Sequence, residues 1–196
     1  MAILALFAVG VAVGWARFLP LPSISVQWNP RTSSEEYRPL ARLQEGKEVL
    51  LVAIVSSNCF WSNLPETIEG IRAAKILVQR QALDEGLEFV TMGVARDMVA
   101  SAGIEHLEEH GLFDEVLAGR GWLNSGVLQF IYNDEVPGWA ATPQVVIIEQ
   151  TVALDAGARR IEGRREVLRK LGAKEIEEWV AEGAVVDLSV DGSGSG

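Results

Sequence analysis

A chain of 196 residues, 48% hydrophobic and 22% charged, can bury the core of one domain with an appendage but is too short for two full-sized domains. That balance excludes wholesale disorder and collagen-like or coiled-coil architecture, and 27 acidic against 17 basic side chains, a formal net charge of -10, set nucleic acid aside as a partner. A single cysteine, Cys59, permits neither an internal disulfide nor a cysteine-rich zinc site, so any thiol chemistry involves a second molecule.

In chain order, Met1 to Ala16 (MAILALFAVGVAVGWA) holds no charged side chain. At ~1.5 Å per residue, extension through Arg17, Phe18 and Leu19 brings this run close to the thickness of a hydrocarbon core. Residues 1–19 are therefore expected to form one transmembrane helix, with Trp15 and Arg17 at the membrane interface. A cleaved secretory signal is the rival, disfavoured because no Lys or Arg precedes the apolar run and no small-x-small site precedes Pro20. Arg17 and Arg31 bias the domain towards the cytoplasmic side, but two charges leave the orientation open. Residues 20–47 read as a juxtamembrane linker with a short helix capped by Ser34.

The domain is expected over residues 48–188. Val49 to Val55 (VLLVAIV) is a short apolar, β-branched run, the pattern of a strand buried on both faces. Leu64, Ile68, Ile71, Ala74 and Val78 then recur at helical spacing, with Pro65 in the first turn and Gly86 as the stop. Glu88 to Ala95 forms the second strand, and strand, helix, strand in this order predicts a parallel crossover. An acidic helical segment (IEHLEEHG), a helix from Leu123 to Tyr132 and a buried strand Gln144 to Glu149 follow, and Thr151 to Leu154 begins another strand after a turn. Helices are expected around Arg164 to Leu171 and Ala173 to Glu182, the latter presenting Ile176, Trp179 and Val180 on one face. Residues 189–196 read as a flexible tail.

The sequence Ser56-Ser57-Asn58-Cys59-Phe60-Trp61-Ser62 lies between a strand and a helix start, and Thr142-Pro143 immediately precedes a core strand. Together, in this order, the two features resemble the thioredoxin superfamily. Cys59-Phe60-Trp61-Ser62 resembles its C-x-x-C loop with serine as the second member, and Pro143 resembles its cis-proline. The resemblance spans about Glu48 to Leu154. It implies an α/β fold with a thioredoxin-like central sheet flanked by helices, catalytic positions at Cys59, Ser62 and Pro143, and a periplasmic domain, against the charge bias. A cysteine at a helix N-terminus is activated as the thiolate, yet serine cannot resolve a mixed disulfide, so dithiol turnover within this chain is excluded. Cys59 is then either a monothiol that exchanges with a partner or a packed small hydrophobe covered by Phe60 and Trp61.

His106-Leu107-Glu108-Glu109-His110 matches the inverted zinc-protease spacing, making His106 and His110 metal candidates. A solvated acidic helix face is the preferred reading, and no metal or cofactor is expected. Arg159, Arg160, Arg164, Arg165, Arg169 and Lys170 form either a strip for anionic headgroups or an acidic subunit, or an exposed helix with Glu-Arg pairs. Trp122 and Trp139, with Phe60 and Trp61, are candidate partner-binding residues. The expected function is a non-catalytic, membrane-anchored accessory subunit docked on an integral membrane protein complex of respiration or photosynthesis. The alternative is a membrane-tethered monothiol exchange enzyme using Cys59.

Overall fold

The computed structural model describes residues 45–132, 140–155 and 158–188. The expected transmembrane helix with Trp15 and Arg17, the linker helix, Trp139 and the tail lie outside the described residues, and no described helix is long and apolar enough to cross a membrane.

Among the described residues, five strands and four α-helices follow one another as β1 (Gly46–Val55), α1 (Pro65–Asp84), β2 (Glu88–Ala95), α2 (Ala100–Glu109), β3 (Glu115–Ala118), α3 (Ser125–Phe130), β4 (Gln144–Asp155), β5 (Ala158–Leu171) and α4 (Gly172–Ala181). Short 3-10 turns at Phe60–Asn63 and Gly121–Leu123 precede α1 and α3. The sheet order is β3-β2-β1-β4-β5. The first strand runs parallel to β2, from Glu48 opposite Glu88 to Val55 opposite Ala95, and antiparallel to β4. This is the thioredoxin-like sheet, with β3 added parallel to β2 at one edge.

The apolar run of β1 is continuous because both faces of this central strand are covered. Val49, Leu51, Ala53 and Val55 pack with Ile71, Ala74 and Val78 of α1, Leu107 of α2, and Ile176 and Trp179 of α4. Leu50, Val52 and Ile54 face the other way, onto Val127, Phe130 and Ile131 around α3. The first layer is close-packed where α2 crosses β2, since a Cβ built at Gly103 would lie 2.7 Å from the Ala95 Cβ. Both atoms are fixed to backbone, so Gly103→Ala is expected to cost about 1–3 kcal/mol by overpacking, read as a lower denaturant midpoint with an unchanged slope.

The expected helix over Arg164 to Leu171 is a strand, and the two strand segments expected after Pro143 are one. β4 continues unbroken from Gln144 to Asp155, and β5 pairs with it antiparallel over its whole length. Arg160 and Arg169 pair with Glu162 and Glu166 along β5 itself, while other arginines of the segment reach across to neighbouring strands. The register slips by one residue at Glu162 and again at Val167, and such bulges bend a strand and re-aim its side chains. Arg159 thereby reaches Glu48 on β1 and, at 3.1 Å, Glu115 on β3. Arg164 donates to Gln150 at 2.9 and 3.1 Å, and Arg165 pairs with Glu149 at 2.6 Å. Those guanidinium groups are occupied within the fold rather than presented as a helical strip.

Candidate functional site at the Cys59 loop

Three connections converge at one edge of the sheet: the loop after β1, the end of β2, and the Thr142-Pro143 turn before β4. They meet because β1 and β2 are parallel while β4 is antiparallel, so two strand ends and one strand start share that edge.

The β1 loop is tied down by its own polar side chains. Cys59 N–H donates to the Ser56 carbonyl and Ser62 N–H to the Cys59 carbonyl, each at 3.0 Å. Asn63 Nδ2 donates to the carbonyls of Ser57 at 2.9 Å and Cys59 at 2.6 Å. Thr67 Oγ1 donates to the Trp61 carbonyl at 2.8 Å, so the first turn of α1 is fastened to the loop.

Two side chains after β2 hold the loop from the side. Asp97 is buried and accepts the Ser57 N–H at 3.2 Å and the Ser57 hydroxyl. Arg96 donates to Ser56 Oγ at 3.1 Å and lies over the Trp122 ring at 4.3 Å. Trp122, expected to bind a partner, is half-buried and acts as a wall for Arg96 while meeting Tyr132 edge to face. Asp97→Ala leaves the Ser57 N–H without its acceptor and is expected to cost about 1–3 kcal/mol. Denaturant unfolding measures that loss, and faster backbone amide exchange at Ser57 would localise it to the loop.

The peptide bond of Thr142-Pro143 is cis, Pro143 is buried, and the Cys59 thiol donates to the Thr142 carbonyl at 3.1 Å. A strut not evident from sequence supports this turn. Buried Gln144 donates to the Ala141 carbonyl at 2.7 Å, and Arg169 on β5 holds the Gln144 side-chain oxygen at 2.5 Å and the Phe130 carbonyl at 2.9 Å. A strand assignment for residues 158–171 would have placed Arg169 beside Gln144.

Cys59 is half-buried. Burial pushes its thiol up, but hydrogen bonds from the Thr142 side chain, the backbone and hydroxyl of Ser62 and the Trp61 backbone outweigh it, leaving the thiol below its ordinary value. Ser62 is fully buried, and its hydroxyl also accepts the Ser56 N–H at 3.3 Å. Phe60 and Trp61 do not cover the sulfur as a packed cysteine would require. They are 70% and 57% exposed and contact each other edge to face at 5.3 Å between ring centres. Met98 and Val99, beyond β2, are exposed too, giving this edge an apolar rim.

The acidic helix behaves as expected for Glu105, Glu108 and Glu109, which are exposed, but His106 and His110 are buried. No group of three or more His, Cys, Asp or Glu side chains among the described residues could hold a metal ion. A cavity of about 230 Å³ opens at the opposite end of the sheet, among Glu48, Gln150 and Arg164, far from Cys59.

No protein-family model matches the chain, and no curated protein matches it in sequence. Solved structures similar to it include the thioredoxin domain of a thiol-disulfide oxidoreductase from Bacteroides vulgatus, 15% identical over 69% of this chain and 78% of that one, with a TM-score of 0.36. A thiol:disulfide interchange protein from Bacteroides sp. is 13% identical over 75% of this chain and 78% of its own, at 0.36. BsSco, a member of the Sco family of cytochrome c oxidase assembly proteins, is 10% identical over 70% and 78%, at 0.35. The thioredoxin-like character of this chain rests on its sheet order and on the approach of Cys59 to the Thr142-Pro143 turn.

Proposed function

We propose that this thioredoxin-like domain is a monothiol thiol-disulfide exchange module whose reacting atom is Cys59 Sγ. The observation that carries this is the half-exposed sulfur 3.1 Å from the Thr142 carbonyl of the cis-Pro143 turn, left uncovered by the exposed Phe60 and Trp61, and its thiol lies below the ordinary value. The thiolate is the nucleophile in exchange, so a lowered value raises its fraction near neutrality. Cys59 attacks one sulfur of a disulfide. That S–S bond breaks, a new one forms to Cys59, and the other sulfur leaves as thiolate. Because the chain has no second cysteine, a thiol from solution such as glutathione attacks the mixed disulfide, carries away the partner sulfur and returns the Cys59 thiolate. A glutathione-coupled assay with a small mixed disulfide is expected to show turnover that Cys59→Ser abolishes and Ser62→Ala retains. Equal rates for Cys59→Ser and the unaltered chain would overturn the proposal.

A second reading, a non-catalytic accessory subunit docked on a membrane complex, is favoured by the exposed Phe60 and Trp61 pair. Exposed aromatics beside a rigid loop are common binding anchors. The uncharged run MAILALFAVGVAVGWA supports a membrane anchor in the same reading. Phe60→Ala with Trp61→Ala should then leave the thermal transition near native while removing copurifying membrane proteins. Retention of those proteins would discard this surface.

A further inference from the structure

A guanidinium on β5 clamps the connection that carries the Thr142-Pro143 turn, and no step of the exchange above calls on it. Arg169 stands opposite Val146 in the β4–β5 ladder, in the register set by the bulge at Val167. Gln144, two residues along β4 on the same face, is therefore its diagonal neighbour. The Arg169 side chain is only 13% exposed, and each of its nitrogens is used. Nη1 donates to Gln144 Oε1 at 2.5 Å and Nη2 to the Phe130 carbonyl at 2.9 Å. Nε and Nη2 grip the Glu166 carboxylate at 3.0 and 2.7 Å, and this planar fork aims the remaining N–H groups in fixed directions. Phe130 ends α3 and Gln144 begins β4, so one side chain holds both ends of the connection between them.

From Gln144 to the sulfur every link is a hydrogen bond or a chain neighbour. Gln144 Nε2 donates to the Ala141 carbonyl at 2.7 Å, which holds the peptide between Ala141 and Thr142. On the other side of the turn the Gly172 N–H donates to the Pro143 carbonyl at 2.9 Å, which holds the peptide between Pro143 and Gln144. The peptide enclosed by these two, between Thr142 and Pro143, carries the carbonyl that meets Cys59 Sγ at 3.1 Å. With both neighbouring peptides held and the φ of Pro143 set by its ring, that carbonyl has little room to move.

We propose that Arg169 is a positioning residue for thiol exchange: through Gln144 it holds the Thr142 carbonyl against Cys59 Sγ and so fixes the direction from which a disulfide meets that sulfur. The inference deepens the proposed function and rests on Cys59 being the reacting thiol. In the exchange step the Cys59 thiolate bonds to one sulfur of the disulfide while the S–S bond breaks and the other sulfur leaves with the electron pair. The three sulfurs must come into line, and a misplacement of about 1 Å, even one caused far from the reacting atoms, costs up to about 100-fold. Without Arg169 the turn keeps its β-ladder and its Gly172 contact, so the expected loss is smaller, about tenfold.

The test is the rate at which oxidised glutathione forms a mixed disulfide with Cys59, taken at the alkaline plateau of the pH profile, where the thiolate fraction no longer matters. Arg169→Leu is expected to react about tenfold more slowly than the unaltered chain. Iodoacetamide, a small reagent that the turn does not confine, should alkylate the two at rates within about twofold. Gln144→Met should show the same loss with glutathione disulfide, and the double variant no more than either alone, because the two residues act in one chain of contacts. Arg169→Lys, which keeps the charge but not the fork, should stay as slow as Arg169→Leu. Arg159→Ala, at the other end of β5, should keep the full rate although it removes a buried ion pair, which separates positioning from a general loss of stability. A full rate in Arg169→Leu or Arg169→Lys, additive losses in the double variant, or an equal fall with iodoacetamide would overturn the inference. Should Arg169→Leu fail to fold, Gln144→Met decides by the same two rates. An unaltered chain that iodoacetamide alkylates but glutathione disulfide leaves unmodified would defeat the proposed function and this inference with it. Exchange at equal rates in the unaltered chain and both single variants would defeat this inference alone.

Discussion

Ser62→Cys is expected to convert the chain from a monothiol into a dithiol oxidoreductase. Ser62 follows Cys59 by three residues in the same loop, its N–H bonded to the Cys59 carbonyl at 3.0 Å, and it is among the groups that lower the Cys59 thiol, so a sulfur in place of its hydroxyl is expected to lie within reach of the atom it must attack. Once Cys59 carries a partner, intramolecular attack forms an internal disulfide and expels the partner as thiolate. Well-oriented intramolecular groups reach effective molarities of about 10⁵ M and above, far beyond any concentration of free glutathione. The mixed disulfide that accumulates on the unaltered chain should therefore vanish from intact mass spectra of the variant. The Ser56 N–H loses an oxygen acceptor, a cost of about 1 kcal/mol that the fold should withstand. Persistence of the adduct in a folded variant would show that residue 62 faces away from the sulfur.

The largest loss of stability is expected at Arg159. Its guanidinium joins Glu48 on β1 and Glu115 on β3 to the bent end of β5, and the Glu48 side chain is only 8% exposed. In Arg159→Ala, Glu48 keeps Gln150 as a donor and the more distant charge of Arg164 but loses the guanidinium that contacts it directly. Removing one member of a buried ion pair costs about 3–5 kcal/mol because the other charge remains desolvated. Arg159 is itself 22% exposed, which places the expected loss at the lower end of that range, about 3 kcal/mol. Adding Glu48→Gln should restore much of it by removing the orphaned charge, and denaturant unfolding of both variants measures the difference. A loss below about 1 kcal/mol in the single variant would show that solvent already screens the pair.

Sequence pattern revealed the fold wherever side-chain periodicity had one interpretation. The run VLLVAIV, short and rich in β-branched residues, favoured a strand covered twice over a buried helix, and Pro65 with Gly86 bracketed α1. Around Arg164 the pattern was ambiguous. Glu and Arg three or four apart suit an exposed helix, but they also suit an edge strand whose bulges shift the alternation, and only pairing with β4 separates the two. The site divides in the same way. Cys59, Ser62 and Pro143 were legible because a cysteine after a buried strand and a proline before one are local signals. Asp97 and Arg169 were not, since each reaches the loop through contacts between residues 40 or 25 positions apart. The histidines were legible as a pair, but their burial was not. Three exposed glutamates in the same segment masked the inward face of α2.

Incubating the folded chain with oxidised glutathione near neutral pH and recording its intact mass tests the central claim most directly. One glutathione on Cys59, formed without denaturant and removed by a reducing thiol, is the predicted result. A folded chain that stays unmodified and takes up the adduct only after denaturation would contradict it, showing Cys59 to be a packed side chain and the loop a scaffold without thiol chemistry.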